Sequence, residues 1–101
     1  MSKSIKFDKV VITKSNRDKK FKALFTNSDN RKRTIHFGAK GMSDYTIHKD
    51  NERKDRYLKR HKPTENWNNP ATAGALSRWI LWNKPTFDAS LKDFKQKFKL
   101  K

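Results

Sequence analysis

The chain contains no cysteine, which excludes disulfides and thiolate chemistry, and three glycines and three prolines in 101 residues are too few for a low-complexity segment. No internal repeat is present. Long apolar runs are missing too. Nothing approaches the roughly 20 residues of a spanning helix and no signal peptide opens the chain, so membrane insertion and secretion are not expected. Hydrophobic residues make up only 33% against 36% charged, close to the balance at which a chain fails to bury enough surface to fold. Negative charge is the scarcest of all: ten Asp and Glu face 26 Lys and Arg, leaving a formal charge of +16.

Aromatic residues are what the chain does have. Seven Phe, three Trp and two Tyr supply large rings from which a small core can be built. The expectation is one small domain, residues 1–101, that gains stability from a partner. Self-repulsion and a positive potential over most of the surface require that partner to be acidic. Nucleic-acid phosphates and the acidic face of a larger protein both qualify; an anionic membrane surface is the weakest candidate.

The chain is organised around the stretch from Trp67 to Pro85, which holds all three tryptophans. Trp79, Ile80, Leu81 and Trp82 are consecutive, so on a helix they point to every side and need cover on most faces. The Ala/Leu-rich approach and Pro70 at the first turn predict a core helix over 70–84, ended by Pro85, because the residue before a proline is pushed out of the helical region. A short buried strand is the alternative.

Before it, residues 5–37 read as a three-stranded antiparallel meander. Ile5 to Thr13 is rich in β-branched residues, but Ile5 and Phe7 fall on one parity and Val10 and Ile12 on the other, which predicts a bulge near Asp8 and Lys9 or burial on both faces. Phe21, Ala23 and Phe25 alternate cleanly, turn residues follow at Asn27 to Asn30, and Arg33, Ile35 and Phe37 form the third run. Gly38 and Gly41 then mark a turn; a phosphate-cradling loop would need a downstream Gly-Lys-Ser/Thr, which is absent.

Residues 44–62 form a charged helix region. Asp50 is a reasonable cap, Glu52 with Arg56 and Asp55 with Lys59 are i,i+4 pairs, and Tyr57 and Leu58 are nearly its only apolar residues. Such a helix is either a solvated face or a basic surface laid against phosphates or an acidic protein. Residues 86–98 form an amphipathic helix with Thr86 as cap, Asp88 in the first turn and Phe87, Leu91, Phe94 and Phe98 on one stripe. The expected core is therefore Trp67, Leu76, Trp79, Ile80, Phe87, Leu91, Phe94 and Phe98. The expected surface for a polyanion or acidic partner is Lys40, Lys49, Arg53, Lys54, Arg56, Lys59, Arg60, Lys62, Lys95 and Lys99. The fold class is α+β, the meander followed by two to three helices.

Chemistry is sparse. His36, His48 and His61 are too spread for a local metal motif. Asp44 and His48 at i,i+4 offer half of an acid/base pair without a nucleophile, so Asp44 reads better as a cap or turn residue. No enzyme, cofactor or metal is expected.

The wording from His36 to Thr46, then Arg56-Tyr57, Arg60-His61, Trp67 and Thr72 to Pro85 resembles a family of small, basic, functionally uncharacterised proteins. That family is carried by nucleocytoplasmic large DNA viruses of algae and protists and by some of their hosts. It implies a virus particle as the setting and transfers no site residue. Two roles compete, and both fit that setting: a minor capsid or cement protein bridging larger subunits, the preferred reading, and a sequence-independent nucleic-acid binder on the genome. In the first, neighbours would hold basic ends that otherwise fray.

Overall fold

The computed structural model describes residues 6–101. Three antiparallel strands, β1 (Lys9–Lys14), β2 (Lys19–Thr26) and β3 (Lys32–Ala39), form a sheet in the order β1-β2-β3. The helices α1 (Tyr45–His48), α2 (Asn51–His61), α3 (Ala73–Leu76) and α4 (Phe87–Phe98) follow, with a short 3-10 turn over Lys62–Thr64. The α+β class and the meander are as the alternation predicts.

Pairing puts Ala23 opposite both Ile12 and Ile35, and Phe25 opposite both Val10 and Arg33, so one parity of all three strands faces the helices. Val10, Ala23, Phe25 and Phe37 are buried there, while Val11 on the other parity is exposed. A sheet covered on one face needs this alternation. The parity break is also real. The Asp8 amide donates to the Thr26 carbonyl (2.9 Å), and Lys9 pairs with the same Thr26, so two residues oppose one as in a bulge. Phe7 and Val10 both reach the core side as a result. Ile5, the other residue behind that reading, lies outside the described residues.

The Trp-rich helix is shorter than 70–84. Thr72, not Pro70, starts it: its hydroxyl accepts from the Ala75 amide, whereas Pro70 lies in a bend after Asn69, whose side chain accepts from the Ala71 amide. From Ser77 to Leu81 the chain winds as a π-helical turn, closed by Trp82 N–H to Ser77 C=O at 3.0 Å. The wider turn resolves the crowding of four large residues: Ile80 and Leu81 go to the core, and Trp79 and Trp82 flank it half-buried. Pro85 therefore does not end the helix, which stops four residues earlier. Beyond it, Asn83 donates to Asp93 (2.7 Å), and the Ser90 hydroxyl accepts from the Lys84 amide (2.9 Å), so the linker is bound to α4.

Leu76, Ile80 and Phe94 sit in the core as expected, with Trp79, Phe87, Leu91 and Phe98 packed half-buried on its edge. Trp67 is corrected: it lies half-exposed outside this cluster, its indole N–H on Glu65 (2.8 Å) and its ring against the Arg78 guanidinium. Asp50 and Thr86 cap α2 and α4 as predicted. Asp44 caps α1, accepting from the Thr46 amide, and binds Lys20 at 2.5 Å, so it is structural.

The C-terminus is held by the chain itself. Lys99 closes α4 in the left-handed region, Leu100 N–H returns to the Lys95 carbonyl (2.8 Å), and the Leu100 side chain is buried. Lys101 then exchanges backbone bonds with Asp8 and Val10 (2.9 and 3.0 Å), covering the free edge of β1. Residues 1–5 lie outside the described residues.

Candidate polyanion interface

Helix α2 is docked chiefly through one ring. Tyr57 is its buried side chain, and the ring lies parallel to Trp82 at 4.2 Å and 3°, with His61 on its other side at 4.2 Å and 30°. Burial pushes the Tyr57 phenol up to about 12, with Glu65 adding to the shift, so it stays neutral through the physiological range. Arg53, Arg56 and Arg60, spaced three and four residues apart, share an exposed stripe that flanks the docked side of the helix, since Arg53 and Arg60 stand four and three residues from Tyr57.

The predicted pairs Glu52–Arg56 and Asp55–Lys59 are not made. Among the described residues the ion pairs are Lys20–Asp44 and His61–Glu65. Solvated side chains on so basic a helix gain little from holding one geometry, which is why exposed pairs of this kind contribute so little.

The ten predicted cations are spread over four places and do not form one cluster. Lys40 is exposed in the turn after β3, and Lys59 and Lys62 are exposed at the end of α2. Lys95 lies on the last turn of α4 and Lys99 is its C-cap. Two are engaged inside the molecule. The Lys49 ammonium donates to the Thr46 and Pro85 carbonyls (2.8 and 2.9 Å). Lys54 donates to the Asn83 carbonyl (2.7 Å) beside the Tyr45 ring, and burial, then Arg78 and Lys84, hold its pKa below the usual lysine range. These two clamp the linker onto α1 and α2.

Arg78 is also internal. Its guanidinium lies over the Trp79 ring at 4.2 Å and donates to the Trp82 carbonyl, and burial lowers its pKa. Lys97 covers Trp79 at 4.4 Å, so that tryptophan is wedged between cations and is not a bare hydrophobic anchor. His36 accepts or donates with Ser15 at 2.7 Å, and its pKa is lowered by desolvation, then by Arg17 and Lys22.

Sequence reading missed a second basic surface. Lys6, Arg31, Lys32 and Arg33 line a cavity of about 970 Å³ at one end of the sheet, closed on the other side by the 66–71 loop and by Phe98 and Leu100. The run Arg31-Lys32-Arg33 was a signal, and alternation put Arg33 on one parity with Ile35 and Phe37; strand pairing sets it opposite Phe25. A second cavity, about 370 Å³, lies between the end of the sheet and α2 and α3. It carries both signs of charge, including Asp44 and Glu65, and does not match a polyanion. Among the described residues no group of three or more His, Asp or Glu is placed to hold a metal ion.

A family model described as a family of unknown function, DUF5754, matches residues 10–61, just over half of the chain. The chain belongs to this family. The matched part contains the sheet, α1 and α2 with its arginine stripe, and stops before the Trp-rich segment. No curated protein and no solved structure matches the chain. No helix among the described residues is long and apolar enough to cross a membrane.

Proposed function

We propose that this DUF5754 protein is a non-enzymatic nucleic-acid-binding protein that grips the phosphate backbone without reading sequence, associated with the genome of a large DNA virus. The observation that carries this reading is the unneutralised charge: of 26 Lys and Arg, Lys20 is the one paired with a carboxylate among the described residues. Backbone binding draws its free energy from counterions released as cations meet phosphates, and needs accessible cations of this kind. Helix α2 offers three exposed arginines on one stripe beside the side docked by Tyr57.

The test is a salt titration of binding to duplexes of unrelated sequence. Affinities should be equal across sequences and fall steeply with salt. Replacing Arg53, Arg56 and Arg60 by Gln should flatten the log–log slope by up to about 2.7, at about 0.9 per lost phosphate contact. Tight binding to one sequence at high salt, or an unchanged slope, would overturn the proposal.

A second reading, a minor capsid or cement protein bridging larger subunits through acidic faces, is favoured by Met42 and Ile47. These apolar side chains are 64% and 62% exposed before and within α1, where a shaped protein interface would cover them. Stripping particles in steps of salt and detergent, with mass spectrometry of each fraction, separates the two: release with shell subunits supports cement, retention on the genome supports the nucleic-acid reading.

A further inference from the structure

The cavity at the end of the sheet differs in kind from the arginine stripe of α2. On α2 the accessible groups are charges on a convex helix. At the sheet end, charges rim a hollow with an apolar floor: Phe7 and Phe98 line it half-buried, together with Leu100. Each ring is backed by a fully buried one, Phe7 by Phe25 at 5.5 Å and Phe98 by Phe94 at 5.1 Å, so neither can turn away into the core.

We infer that this groove seats single-stranded nucleic acid, its backbone along the rim formed by Lys6, Arg31, Lys32 and Arg33 and its bases against Phe7 and Phe98. The inference rests on the nucleic-acid reading above and specifies the form of the ligand. Among the described residues no carboxylate lines the groove, so the rim presents one sign of charge to the ligand. A duplex keeps its base faces stacked inside and can meet such a site only with its backbone, whereas a single strand splays its bases onto aromatic platforms.

The loop opposite the rim adds oriented donors. The Asn66 side-chain oxygen accepts from the Asn68 amide (3.0 Å) and that of Asn69 from the Ala71 amide (3.1 Å). An oxygen already bound to a backbone N–H leaves the NH₂ end of each amide to meet a ligand. Asn66, Asn68 and Asn69 all line the groove, so that wall carries amide groups able to donate to phosphate oxygens and base carbonyls. An acidic peptide would satisfy the rim but leave the rings without flat partners.

The experiment is fluorescence anisotropy with labelled oligothymidylate of about 12 nucleotides and a duplex of equal length, across a salt series. Arg31→Gln with Arg33→Gln is the rim variant; both side chains are exposed, so the fold is retained, which melting checks. It should weaken single-strand binding about tenfold at low salt and flatten its slope by about 1.4, at about 0.7 per contact, with duplex affinity changed less than about twofold. Phe98→Leu keeps apolar volume and removes the platform; it should cost about fivefold or more on the single strand with an unchanged salt slope.

Equal losses on duplex and single strand in the rim variant would overturn the inference, as would full single-strand affinity in Phe98→Leu. Displacement of the strand by oligoglutamate as readily as by unlabelled oligothymidylate would assign the groove to acidic peptides and overturn it too. If single-strand binding follows the α2 arginines and not the groove, this inference fails while the proposed function stands. If neither DNA binds the unmodified protein, both fail.

Discussion

Tyr57→Ala should detach α2 from the rest of the protein. The helix has no other buried side chain, and the ring is faced on both sides, by Trp82 and His61, each with centroids at 4.2 Å. Emptying a site for a large ring costs about 3–5 kcal/mol, a large share of the roughly 5–15 kcal/mol that holds a small domain. An 11-residue helix without a docked face is marginal in water. The loss is therefore expected to appear first as local opening of α2 and only then as a lower global midpoint. Urea unfolding followed by tryptophan fluorescence, with amide hydrogen exchange across residues 51–61, reads both. The DNA salt slope should flatten with it, because the three arginines lose their common stripe. A loss below about 1 kcal/mol with α2 amides still protected would refute the claim that the Tyr57–Trp82 stack anchors the helix. Tyr57→Phe keeps the ring and is expected to cost less than about 1 kcal/mol at neutral pH. The same pair of proteins tests the titration. A phenol raised from 10.0 to about 12 in the folded state binds its proton more tightly when folded. Its contribution is therefore fully present below pH 10 and is lost as pH rises through about 12, and Tyr57→Phe should remove that part of the alkaline instability.

The remaining predictions concern the frame around the site. Gly38→Ala should destabilise by about 2–4 kcal/mol, since Gly38 has φ +84° and an added Cβ would stand 2.9 Å from Leu81 Cδ1; a midpoint within error of the parent would refute it. Lys99→Gly should raise stability by up to about 1 kcal/mol in thermal melts, because Lys99 occupies the left-handed region (φ 55°) that glycine adopts without cost; a lower melting temperature would count against this account of the cap. Deleting Leu100 and Lys101 should cost about 2–3 kcal/mol by exposing β1's edge and the floor under Leu100; full stability after deletion would mean that the end is a loose tail.

How much of this was legible beforehand differs by element. Strand periodicity, the bulge at Asp8 and Lys9, the caps Asp50 and Thr86 and the stripe of α4 all follow from local spacing. Each depends on residues within a turn or two along the chain, and such short-range geometry is carried by the sequence itself. The α2 arginine stripe was legible for the same reason, since Arg53, Arg56 and Arg60 share a face of any helix that contains them.

Long-range partners decided the rest. Neither Pro70 nor Pro85 marks an end of the Trp-rich helix, because Thr72 captures its start and four crowded large side chains are sorted by a π-helical turn against a core that local pattern does not show. Lys49 and Lys54 looked as available as their neighbours until the linker carbonyls of Pro85 and Asn83 came within reach, 36 and 29 residues away. Charge composition set the expectation of an acidic partner. Where the charge is usable was settled in three dimensions, since strand pairing and the returning C-terminus bring Arg33, Phe7 and Phe98 to one groove from separate parts of the chain.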